Sequence, residues 1–273
     1  MTPDTGTAQN FRLVAQMQAT DLSQAAWALI DHFGFKPEAG YLDVRNLPDS
    51  TETLRLRRLD QVIEIVRAPP DAQLGHGPFD HLALRANDVD AVVMALRAKW
   101  VRLDPEVTPD GPIDLPMFWT AGVRVAFAQG RGGIRFELCQ NNARPEGESV
   151  AQGVNLGGHD HFGLRCRDVR EAEAFYAGFG FTSVMRTEIP TPDGPIDINF
   201  VQNGRCLLEL ASTPQTRDPA HTFAETPLWS KVIIETNCPA DFGPSQTGPG
   251  GEILEVRASM PEAVFSFDTE DLP

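Results

Sequence analysis

Two histidine–glutamate pairs carry the chemistry that this sequence can offer. His81 stands 56 residues before Glu137, and His161 stands 48 before Glu209. A catalytic divalent ion takes three or four nitrogen and oxygen donors and keeps a position open. One pair supplies half of such a set. Together they make a His2Glu2 set that suits Zn, Ni, Mn, Fe or Co rather than soft Cu(I). A lone strand histidine is ordinarily a satisfied structural residue. Here the surrounding phrases match as well, HLALRANDV against HFGLRCRDV. Alternate residues of a strand share a face. That places His81, Ala83 and Arg85 together, and likewise His161, Gly163 and Arg165, with Leu82, Leu84, Phe162 and Leu164 opposite.

The elements that position these residues form a repeat, and a repeat decides the fold. The heptapeptide TPDGPID occurs twice, at 108–114 and 191–197. Around each copy the same order is predicted. An alternating strand ends at Asp88 or Asp168, each suited to cap the helix that follows. A second strand leads to the Pro-Asp-Gly turn, and two more strands follow, the last bearing Glu137 or Glu209. Gly180 suits a stop near the end of the second helix. A weaker copy at the N-terminus places Asp21 at the cap, Pro48-Asp49-Ser50 at the turn and Glu64 on the last strand. A fourth copy has Lys231 and Glu255 only 24 residues apart, so it has lost its helix or its middle strands. Residues 258–273 would restore one strand through AVFSF. The predicted class is α+β, with four tandem β-α-β-β-β units, the fourth truncated. Residues 1–145 hold units one and two, and 146–273 hold units three and four. Val14 and Lys231 occupy the histidine positions of units one and four, and neither Val nor a protonated Lys ligates a metal. Gln16, two residues on from Val14, faces the same side.

Tandem units with His on the first strand and Glu on the last, together with the GPGGEILEVR ending, resemble the vicinal oxygen chelate superfamily of glyoxalases, bleomycin-resistance proteins and extradiol dioxygenases. The resemblance implies units paired into two curved half-barrels, with one divalent metal between paired units. Pairing units two and three completes a His81–Glu137–His161–Glu209 site. Pairing one with two and three with four leaves one His and two Glu in each. In the glyoxalase type the metal polarises two adjacent substrate oxygens, and a ligand carboxylate moves a proton, which would be Glu209 or Glu137. The resemblance also implies an anion contact for Arg85 and Arg165, against the alternative of rim arginines paired with surface carboxylates. Phe118, Trp119 and Phe200, assigned to the third strands, line an apolar pocket or pack the core. The implied function is a metal-dependent lyase or isomerase on a small substrate with vicinal oxygens. The rivals are an Fe(II) or Mn(II) extradiol dioxygenase, opposed by Lys231 where a fourth-unit His belongs, and a non-catalytic binding or resistance protein.

Composition sets outer bounds. With 41% hydrophobic and 22% charged residues the 273-residue chain is ordinary globular material. A net charge of −15 argues against a nucleic-acid backbone or an anionic membrane as partner. No stretch of 18 apolar residues occurs, and the polar N-terminus carries no signal-peptide core. Four scattered cysteines without a CxxC fit free, mostly buried thiols in the cytoplasm. The expected partner is a small molecule, and the expected assembly a monomer or homodimer.

Overall fold

The computed structural model describes residues 11–38, 42–130, 133–143, 155–243 and 245–259. Unit one comprises β1 (Phe11–Ala19), α1 (Leu22–Phe33), β2 (Lys36–Pro37), β3 (Thr53–Arg58) and β4 (Gln61–Arg67). After the short β5 (Leu74–Gly75), unit two runs through β6 (Phe79–Ala86), α2 (Val89–Ala98), β7 (Arg102–Leu103), β8 (Ile113–Leu115), β9 (Val123–Gln129) and β10 (Arg135–Asn141). Unit three has β11 (Leu156–Arg165), α3 (Val169–Ala177), β12 (Thr182–Ile189), β13 (Ile196–Asn203), β14 (Cys206–Ser212) and the one-turn α4 (Pro214–Arg217). After β15 (Thr226–Pro227), unit four keeps β16 (Trp229–Thr236), β17 (Ser245–Thr247) and β18 (Ile253–Ala258). A single 3-10 turn at Pro239–Asp241 stands where the other units carry a helix. The AVFSF segment lies outside the described residues.

Two large sheets result, each a half-barrel, beside a two-stranded pair of β5 and β15. One runs β12-β13-β14-β11-β6-β10-β9-β7, with β8 also paired to β9, and so joins units two and three. The other runs β17-β18-β16-β1-β4-β3-β2 and joins units one and four. The seam of each sheet is an antiparallel pair of first strands, β6 with β11 and β1 with β16. Within each unit the last strand runs parallel to the first, as β10 does to β6 and β14 to β11. This brings each last-strand Glu beside its own first-strand His. Each sheet takes strands from both sides of residue 145.

The three long helices start where an aspartate can accept their free amides. Asp21 caps Gln24 N at 2.9 Å, Asp88 caps Ala91 N at 2.9 Å, and Asp168 caps Arg170 N at 2.7 Å. Strand alternation then divides the side chains. Leu82, Leu84, Phe136, Leu138, Leu208 and Leu210 enter one continuous core. That core spans both sheets, with Phe79 stacked on Trp229 at 5.3 Å and tilted on Phe162 at 4.9 Å. The opposite face of the two-three sheet is left to a cavity.

The same face of the one-four sheet is closed. Val14, Val62 and Ile233 fill its middle. An ion network fills the rest. Arg257 and Arg55 reach Glu64 at 2.7 and 3.2 Å, Lys231 binds Glu255 at 2.8 Å, and Gln16 donates to Glu64 at 2.8 Å. The glutamates at the last-strand positions are thus neutralised by built-in cations.

The heptapeptides differ in detail. In the second copy Gly194 N bonds Thr191 O at 3.1 Å and Gly194 adopts φ 116°, a turn between β12 and β13. In the first, Thr108 is buried and its hydroxyl accepts from Phe127 N at 2.8 Å. The trailing aspartates pair with arginines, Asp114 with Arg124 at 2.9 Å and Asp197 with Arg217 at 3.3 Å. Phe118 and Trp119 are not on a strand. They sit in the turn between β8 and β9, where Trp119 has φ 53°.

Candidate metal centre

At the seam of the two-three sheet, four donor side chains meet. His81 Nε2 lies 3.1 Å from Glu137 Oε2 and 3.9 Å from Glu209 Oε2. His161 Nε2 lies 3.3 Å from Glu137 Oε2 and 3.2 Å from Glu209 Oε2. The two Nε2 atoms are 3.3 Å apart. All four donors fall within 4.8 Å of one another. Donors bound at about 2.1 Å to one tetrahedral ion stand roughly 3.4 Å apart. The observed spacing therefore fits a first-row divalent ion, and two carboxylates with two neutral imidazoles balance its charge.

The outer nitrogens are committed elsewhere. His81 Nδ1 lies 3.0 Å from Asp80 Oδ2, and His161 Nδ1 lies 2.9 Å from Asp160 Oδ1. A carboxylate that accepts a hydrogen bond from Nδ1–H leaves the Nε2 lone pair facing inward, the arrangement in which ligating histidines are ordinarily held. Asp80 is itself braced by Arg135 and by Arg165, each at 3.2 Å, and Arg135 also donates to Asp104 at 2.8 Å. Burial alone would raise the Asp80 pKa, but Arg165, His81 and Arg135 hold it well below the usual carboxylate range. Without a cation the cluster draws protons. Burial opposes charge on His81, yet its bond to Asp80 and the Glu137 carboxylate bring its pKa up to about 9. His161 is raised as well, against the same burial, by Glu137, Asp160 and Glu209.

Local backbone features aim these groups. On β11, His159 pairs with Leu84 but Phe162 pairs with Leu82, so the strand carries one extra residue there. A bulge re-aims side chains. Here it turns His159 into the core, edge-on to Phe162 at 5.1 Å, while His161 faces the cavity. Gly163 pairs with His81 across the seam. A Cβ on Gly163 would lie 2.0 Å from His81 Cε1, so only glycine leaves the ring its place.

The cluster forms the floor of a cavity of about 420 Å³, within the range of small-ligand sites. Each histidine meets a phenylalanine edge-on, His81 with Phe127 and His161 with Phe200, both at 5.2 Å. Trp119 lies against Phe200 at 5.2 Å, and both line the cavity. Ile113 and Ile196, from the two heptapeptides, also contribute to its wall.

Both arginines pair with carboxylates, the second of the two alternatives. Arg85 does not line the cavity; its guanidinium is held by Asp60, from the turn joining β3 to β4. Arg165 does line it, but is bound to Asp80. Asp80, Asp160 and Phe127 also contribute to the site, beyond the residues expected from the sequence. The repeated Asp-His dipeptide at 80–81 and 160–161 was the available signal for the first two. Phe127 sits directly across from Glu137, as Phe200 does from Glu209, and that cross-strand symmetry would have found it.

Residues 158–269 match the family model "Glyoxalase/Bleomycin resistance protein/Dioxygenase superfamily". Glyoxalase I from Zea mays is 17% identical, with 92% of this chain and 93% of that one aligned at a TM-score of 0.66. A candidate dioxygenase from Bacillus subtilis subsp. subtilis str. 168 is 12% identical, with 91% and 84% covered at a TM-score of 0.60. No curated protein sequence matches significantly. Among the described residues no helix is long and apolar enough to cross a membrane. Residues 158–269 thus match the superfamily's model, and the fold across the chain is that of glyoxalase I.

Proposed function

We propose that the chain is a metal-dependent lyase or isomerase of the glyoxalase type, acting on a small substrate with two adjacent oxygens. One observation carries the reading. Two imidazoles, each with its outer nitrogen committed to an aspartate, converge with two carboxylates on the floor of a cavity. His81, His161, Glu137 and Glu209 would hold the ion. A divalent ion there supplies Lewis acidity to neighbouring substrate oxygens and makes the adjoining C–H acidic.

The chain's own groups then divide the work. Glu137 lies within 3.3 Å of both imidazole nitrogens, whereas Glu209 has a single close imidazole, at 3.2 Å from His161. Glu209 is thus the freer carboxylate. In this reading it takes a proton from one oxygen-bearing carbon and returns it to the next. Asp80 and Asp160 keep the imidazoles oriented, and Phe127 and Phe200 exclude water from their edges. The test has two parts. Purified protein should carry about one equivalent of metal, lost in His161→Ala. Solvent deuterium should wash into the α-carbon of a hydroxyketone substrate, and Glu209→Gln should stop the wash-in while keeping the metal. A protein that binds no metal would leave only the binding-protein reading.

A second reading has its own support. Two histidines and one carboxylate suffice for Fe(II) ring-cleavage chemistry, and the aromatic walls suit a flat diol. Oxygen uptake with catechols by the iron-loaded protein would favour that reading over the isomerase.

A further inference from the structure

Among the described residues, the one arginine that lines the cavity, Arg165, already faces a carboxylate, Asp80. Apart from the donor cluster and its braces, the cavity walls come almost wholly from apolar side chains. Ile113, Leu115 and Trp119 face it from unit two, and Ile189, Ile198 and Phe200 from unit three. The charged side chains beyond the floor are Glu106 and Arg165. Arg165 Nη2 lies 3.2 Å from Asp80, and the charges of Arg165 and Arg135 are balanced by Asp80, Asp104 and Glu106. Glu106 takes part of the Arg135 guanidinium and leaves its own side chain 76% exposed. The described residues therefore leave the mouth neutral to negative, on a chain of net charge −15. A carboxylate brought into such walls loses water and gains no partner, which is strongly unfavourable. An apolar surface brought there is favoured.

The wall geometry also limits shape. Phe118 meets Phe200 edge-on at 5.9 Å and 82°, and Trp119 tilts on the same ring at 5.2 Å and 52°. Ring faces and edges set at such angles accept a flat ring by stacking and edge contacts.

We infer that the substrate is an uncharged, apolar, ring-bearing molecule whose only polar end is its pair of adjacent oxygens. A carboxylate-bearing conjugate of the glutathione kind is excluded. This rests on the reading that the adjacent oxygens sit at the four-donor cluster.

The test uses Zn2+-loaded protein, so that no redox turnover intervenes, and two probes that differ at one substituent. 4-Methylcatechol and 3,4-dihydroxybenzoate present the same two oxygens, with a methyl in one where the other has a carboxylate. Calorimetric titration should give 4-methylcatechol at least a tenfold lower Kd. In Ile113→Lys, at a wall position already 39% exposed, the gap should close or reverse as the new ammonium pairs with the carboxylate. Equal or tighter binding of the carboxylate by the unmodified chain overturns the inference and leaves the metal reading standing. Failure of both probes to bind zinc-loaded protein overturns the inference as well. If the methyl preference appears equally with and without zinc, the inference stands and the metal reading falls.

Discussion

Gly163→Ala isolates the geometry of the cluster without removing a donor. Gly163 lies opposite His81 across the seam, and its added methyl would sit 2.0 Å from His81 Cε1 and 2.4 Å from both ring nitrogens. Ordinary contact begins at 3.4 Å, so the imidazole has to retreat by more than an ångström. It cannot do so in place. Its Nδ1 is held at 3.0 Å by Asp80, and Phe127 meets the ring at 5.2 Å. Metal–ligand bonds tolerate about 0.2 Å, so His81 is lost as a ligand. Loss of an outer-shell partner alone costs 10- to 100-fold in metal affinity. The expected fall in zinc affinity is therefore at least about 100-fold, roughly 2.7 kcal/mol. Competition with a chromophoric chelator measures it, and circular dichroism checks that the fold survives. The clash acts through one ring, so His81→Ala combined with Gly163→Ala should bind zinc no worse than His81→Ala alone. A Gly163→Ala protein whose zinc affinity stays within threefold of the parent would refute the reasoning.

Other outcomes follow from the same geometry. The metal-free cluster holds protons that metal must displace, with the His81 pKa raised to about 9 and that of His161 raised too. Zinc binding at pH 7 should therefore release between about one and two protons, and apparent affinity should climb as pH rises toward 9. Calorimetry in buffers of different ionisation enthalpy reads the proton count, and no release would contradict the assignment. Asp80→Asn removes the charge that His81 leans on while keeping a hydrogen-bond acceptor, and should weaken zinc binding about 10- to 100-fold. In the other sheet, Glu235 is fully buried, accepts from Arg12 Nε at 2.9 Å and lies 2.9 Å from Arg55 Nη2. Glu235→Gln should cost about 1–3 kcal/mol in urea denaturation, because half-buried Arg12 and Arg55 lose a fully buried partner but keep Glu38, yet leave zinc affinity within twofold.

Local pattern made part of this protein legible and tertiary contact decided the rest. The recurring Asp caps, strand alternation and last-strand Glu depend only on neighbours in sequence, so the units could be read directly. The four residues that converge were aligned by recurrence, not by any local signal for a metal. Which units share a sheet could not be read, because β6 meets β11 through side chains far apart in sequence. Alternation placed Arg85 on the face of His81, but Asp60, 25 residues away, captures its guanidinium. Phe118 and Trp119 lie in a turn because the chain reverses between β8 and β9, with Gly122 at φ 75°. Lys231 looked like a dead position by its chemistry alone. Its partnership with Glu255 is a tertiary fact, as is that of Arg55 and Arg257 with Glu64.

The central claim is that one divalent ion sits among four named side chains at the seam of units two and three. Anomalous diffraction at the metal's absorption edge, from crystals of the metal-loaded protein, tests it most directly. The account predicts one peak within about 2.0–2.2 Å of His81 Nε2, His161 Nε2 and a carboxylate oxygen each of Glu137 and Glu209. A peak between Glu64 and Glu255 of the other sheet, or no ordered peak from protein that retains its metal, would contradict it.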